Sequence, residues 1–127
     1  MEFFIGFYFH YFHTMNSDEL NLKIIDFFEN IEKYYDSKTE ITEGLFIDSA
    51  TLDSKHITWN LSEFTLIRSA YRENGERFML EGTNMYYEIS AKNIVKLESP
   101  GRNKFEFTEQ YAETVFRITK IRFHYKY

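Results

Sequence analysis

The sequence predicts an α+β domain. One N-terminal amphipathic helix packs on an antiparallel, meander-like sheet, strongly curved or closed into a partial barrel of about six to eight strands. Three observations carry this. A capped apolar stripe recurs at helical spacing between residues 16 and 36, and the period then switches to two from Glu40 onward. The chain is also rich in strand-favouring aromatics, with 14 Phe and 10 Tyr. At 127 residues, with 43% hydrophobic and 28% charged content, it has the size and composition of one globular core. A single Pro and five Gly argue against a long flexible linker.

The opening stretch, EFFIGFYFHYFHT from Glu2, has an apolar run only over residues 3–9, too short for the roughly 20 residues of a spanning helix. It has neither the basic start nor the small-residue cleavage site of a secretory signal. His10 and His13 would share a face on a helix but point apart on a strand. With no carboxylate in residues 3–17, the pair does not make a metal site. Residues 1–14 are therefore expected to be a docked strand or a dispensable leader, and residues 15–127 the single α+β domain.

The helix begins at NSDEL. Asn16 or Ser17 supplies the N-cap, Asp18 and Glu19 sit in the positive first turn, and Asn16 with Glu19 has capping-box spacing. Leu20, Ile24, Phe27, Phe28, Ile31, Tyr34 and Tyr35 form the buried stripe, and the helix is expected to end near Asp36. Residues 41–48 then read as a strand weakened by Gly44. Ile57, Trp59 and Leu61, alternating with polar residues, read as a half-buried strand. Asn74-Gly75 between RSAYRE and ERFMLE predicts a two-residue type I′ hairpin. Its register sets Glu73 opposite Glu76, Arg72 opposite Arg77, Tyr71 opposite Phe78, Ala70 opposite Met79 and Arg68 opposite Glu81. Further strands are expected over 84–90, 93–99 and 104–109, with a turn at Pro100-Gly101. A last strand over about 114–125 places Val115, Ile121, Phe123 and Tyr125 on one face.

Several chemistries are excluded or lack a signature. Without Cys there is no disulfide, thiolate or cysteine–zinc chemistry, which fits a cytoplasmic location. No phosphate loop, HExxH helix, calcium loop, dinucleotide fingerprint or nucleophile elbow occurs. His56, near Asp48 and Asp53, could serve as a base, but a solvated strand histidine is the commoner case. No cofactor and no catalytic constellation is expected.

Charge points instead to partners. Residues 1–60 carry 11 acids and 4 bases, residues 61–127 carry 9 acids and 11 bases, and the total is −5. Asp26, Glu29, Glu32 and Asp36 make an acidic helix side suited to a basic protein groove. Arg72 and Arg77, opposed at the hairpin tip, suggest an anion site, though Glu73 and Glu76 offset it. Lys120, Arg122, His124 and Lys126 line one face of the last strand, a footprint of single-stranded nucleic acid. Parity puts the strand's aromatics on its other face, and the acidic whole works against phosphate binding. The leading expectation is a non-enzymatic protein-interaction module, an inhibitor, immunity or accessory factor, binding through the acidic helix side or an exposed strand edge. The alternatives are a barrel holding an apolar ligand in an aromatic-lined pocket and a nucleic-acid binder. No membrane is expected as a partner. Exposed aromatics add the expectation of self-association through residues 3–12.

Overall fold

The computed structural model describes residues 17–47 and 58–125. Residues 1–14, the Asn16 cap, His56 with its neighbouring aspartates, and Lys126 lie outside them. The described chain is α+β, helix first, as the periodicities require. Helix α1 (Ser17–Asn30) tightens into a 3₁₀ turn at Ile31–Tyr34. The direction change follows at Asp36, whose φ is 71°. Leu20, Ile24, Phe27, Ile31 and Tyr34 are buried, while Phe28 and Tyr35 pack half-buried beside them. The expected stripe is the stripe that packs.

Eight strands follow: β1 (Lys38–Ile47), β2 (Thr58–Thr65), β3 (Arg68–Arg72), β4 (Arg77–Gly82), β5 (Met85–Ser90), β6 (Ile94–Gly101), β7 (Lys104–Ala112) and β8 (Val115–Phe123). All pairings are antiparallel. They form two sheets, β2-β1-β8-β7-β6 and β3-β4-β5, not closed into a barrel. Among the described residues the connections are meander-like, and β1 against β8 joins the two ends of the chain's strand series.

The helix lies over the main sheet through aromatic contacts. Phe27 meets Phe105 edge-on at 4.8 Å and Phe107 at 5.1 Å. Tyr34 stacks on Phe123 at 4.0 Å. Phe28 stacks on Phe78 of the second sheet at 3.7 Å. One helix therefore cements both sheets, and such ring pairs add to the large area each ring removes from water.

Three local expectations are corrected. The strand through Trp59 and Leu61 is not half-buried: β2 is exposed except at Phe64. It is the outer strand, beyond the helix, and on its inner face only Phe64 is partly covered, against Gly82, where a Cβ would come within 2.7 Å of the ring. The hairpin keeps the expected register from Arg72–Arg77 to Arg68–Glu81. Its positive φ values, however, fall at Gly75 (91°) and Glu76 (52°), not at the Asn74-Gly75 pair of a type I′ turn. The Glu76 carbonyl accepts a bond from Ala91 N at 2.8 Å, so a tertiary contact holds the tip. Pro100-Gly101 ends β6 instead of making the turn, and Asn103, at φ 60°, takes the left-handed position.

Candidate functional site

Two of the four acidic helix-side residues are brought together. Glu29 and Glu32 border a groove of about 340 Å³ between the end of α1 and strand β3. Its other lining residues are Phe28, Ile31, Tyr35, Ser69, Ala70, Tyr71 and Phe78. The rim is thus acidic, the floor is largely aromatic, and no Lys or Arg contributes to the lining. The helical stripe explains the floor, because Phe28 and Ile31 belong to it, while Glu29 and Glu32 stand at its margin.

The opposite wall is a sheet edge, since β3 is the outer strand of the second sheet. Tyr35 bridges the gap: Ser69 N donates to its hydroxyl at 2.9 Å, and the Ser69 hydroxyl lies 3.2 Å away. Asp26 is directed elsewhere. It accepts a bond from Asn30 and borders a smaller groove with Phe27, Leu97 and Phe105. Asp36 is exposed, and its amide donates to Leu66 O.

The hairpin arginines share one acid. Arg77 reaches Glu88 at 3.1 Å and Arg72 reaches it at 3.5 Å. The like-charge opposition across the hairpin is relieved by a carboxylate of the chain itself.

Cross-strand pairing places Lys120 and Arg122 on the outer face of the main sheet, with Arg122 between Glu40 and Lys104, and Lys120 between Thr42 and Glu106. His124, just past β8, is hydrogen-bonded to Glu40. Aromatics do reach this face, and one is on β8 itself, against the parity expectation: Phe116 stacks on Phe46 of β1 at 5.2 Å, and Lys120 Nζ stands 4.8 Å over the Trp59 ring of β2. Acids alternate with the bases, so the strip is mixed in charge.

A buried charge cluster escaped the sequence analysis. Glu109 on β7 is fully buried. It accepts bonds from Arg117 Nε at 2.8 Å, Ser90 N at 2.8 Å and Tyr111 hydroxyl at 2.5 Å. Arg117 also donates to Glu43 at 3.1 Å and to Glu88 O at 2.6 Å. Its guanidinium lies 5.0 Å over the Tyr87 ring, whose hydroxyl is 2.6 Å from Thr119 Oγ1.

Burial pushes the Tyr87 phenol up to about 12. Tyr111 is raised by burial and by its bond to Glu109. Burial works against the Arg117 charge, yet the Glu109 bond and charge together hold its pKa above the ordinary arginine value. Glu109 and Arg117 are direct cross-strand partners flanking the last turn. Counting outward from Ala112 and Val115 would pair Arg117 with Gln110; the bulge between Gln110 and Ala112 is what brings Glu109 opposite Arg117. The cluster joins the two sheets, because Glu88 and Ser90 lie on β5. Its bonds are made within the protein, so its chemistry is that of a fastener.

Among the described residues no group of three or more His, Asp or Glu is placed to hold a metal ion, and no helix is long and apolar enough to cross a membrane. No protein-family model matches the chain, and neither curated proteins nor solved structures give a match.

Proposed function

We propose that the protein is a small non-enzymatic interaction module, in the manner of an inhibitor, immunity or accessory factor, that takes a basic segment of a partner protein into the groove between α1 and β3. The observation that supports this best is the composition of the groove: Glu29 and Glu32 on one wall, an aromatic floor, and a sheet edge on the other wall. An extended segment could lie along the groove, place an apolar side chain on Phe28 and Tyr71, and set Lys or Arg against the two glutamates.

The test is an NMR titration of the full chain with a short peptide of alternating Arg and aromatic residues. Shifts should concentrate on Glu29, Glu32, Tyr35, Ala70 and Tyr71, weaken with added salt, and disappear in the Glu29→Lys/Glu32→Lys double variant. Equal shifts from a glutamate-substituted peptide, or shifts confined to other surfaces, would overturn the proposal.

A further inference from the structure

Each sheet has two edges, and three of the four are guarded. Strand β6 carries register breaks, exposed Lys96 and Glu98, and Pro100. Strand β3 is five residues long with Arg at both ends, and its Ser69 amide is occupied by Tyr35. Strand β5 has its Ser90 amide and Glu88 carbonyl engaged by Glu109 and Arg117. These are the usual ways of blunting a sheet edge.

Among the described residues, strand β2 has no bulge, no proline and no side chain bonded to its outer amides. It runs eight residues, TWNLSEFT, without Pro or Gly, and its single charge is Glu63. Trp59 is 40% and Leu61 63% exposed.

We propose that β2 pairs antiparallel with β2 of a second copy of this chain, about a two-fold axis normal to the sheet at Leu61. Such an axis carries outer face onto outer face, so partners must have the same parity. With Leu61 opposite itself, Asn60 faces Ser62 of the second copy, and Trp59 faces its Glu63. That last pair selects the occupant. Lys120 stands over Trp59, so Glu63 of the second copy arrives beside a lysine, twice in the dimer. Within one copy Glu63 lies opposite Glu40, a like charge, and reaches Lys38 at 3.4 Å across an exposed pair, so the lysine of the second copy adds to that contact. Two five-stranded sheets become one of ten strands, and the exposed Leu61 is covered by its own counterpart.

This inference is independent of the groove, which lies beside β3, and peptide capture there should survive changes at Leu61. Sedimentation equilibrium of the full chain should show the mass rising with concentration from 15.4 kDa toward twice that value. Leu61→Lys and Leu61→Glu, each checked for unchanged circular dichroism, should each weaken association by about tenfold or more, through like charges meeting at the axis. Mixing the two should restore the dimer. Lys120→Glu should weaken it, and adding Glu63→Lys should recover it. A wild-type chain that stays at 15.4 kDa into the millimolar range overturns the proposal. So does a dimer indifferent to charge at Leu61, or a mixture that fails to associate.

Discussion

The inner face of the main sheet is built in two different ways at its two ends. Under the helix, β7 and β8 offer Phe105, Phe107, Ile121 and Phe123, which lock into the rings of α1. Toward the last turn, two residues beyond Phe107 and four before Ile121, the same face presents Glu109 and Arg117, with Glu43 and Tyr87 around them. Apolar packing tolerates exchange among side chains of similar volume, because no single contact is directional. A buried charge depends on each of its donors. The two ends should therefore answer differently to substitution.

The largest effect is expected at the charged end. Arg117→Met keeps the length of the side chain but leaves Glu109 buried with only Ser90 N and Tyr111 as donors. A loss of about 3–5 kcal/mol in unfolding free energy is expected. Urea denaturation measures it as a fall in midpoint at constant slope. Adding Glu109→Leu should recover much of the loss, since the stranded charge leaves with its partner. A double variant as unstable as the single one would show that the ion pair is not what makes this end rigid.

Alkaline pH probes the same end without mutation. The folded pKa of Tyr87, about 12, stands above its unfolded value near 10.0. A group shifted upward lends its stabilisation in full below the unfolded value and loses it as pH rises through the folded one. Stability should fall between about pH 10 and pH 12, by an amount on the order of 2 kcal/mol. Tyr111 is raised by the same burial and contributes in the same direction. Tyr87→Phe should flatten part of that decline. An unchanged decline in the variant would assign it to other groups.

At the apolar end, Ile24→Leu moves one methyl group within a fully buried site and should cost less than about 1.5 kcal/mol. Thermal melting checks it. A loss matching that of Arg117→Met would erase the distinction between the two ends.

The apolar end was legible in the sequence because its determinants are local. Leu20, Ile24, Phe27 and Ile31 announce one helix face by spacing alone. Asn74-Gly75 located the hairpin and its register, even though the positive φ values fall one residue later, at Gly75 and Glu76, whose carbonyl accepts a bond from the distant Ala91 N. The charged end was not legible, because strand parity tells which face a residue takes but not what stands across the fold. Glu43 and Arg117 are 74 residues apart, and Arg117 meets β5 across a gap between two sheets. Trp59 was hidden in the same way. It reaches the basic face of β8 from two strands away, through the pairings of β2 with β1 and β1 with β8. The groove was half legible: the helix supplied Glu29 and Glu32 in the sequence analysis, but β3 as the facing wall is a product of topology.

The smallest expected effect lies on the outer face above the apolar end, where an ion pair is open to water. The hydrogen bond with His124 holds the Glu40 carboxyl below its usual value of 4.5, aided by the charges of His124, Arg122 and Lys38. A carboxyl with a lowered folded pKa stabilises the protein above its unfolded value and loses that contribution as pH falls through the folded one. Wild type should therefore exceed His124→Ala in stability at pH 6, and the two should converge below about pH 4.5 as Glu40 gains its proton in both states. Water already solvates both partners, so the gap should be far smaller than that of Arg117→Met. Denaturation at pH 6, 5, 4 and 3 measures it. A gap that stays constant across this range would mean that His124 acts by packing, and a gap as wide as at the buried cluster would mean that burial is not what separates the two kinds of ion pair.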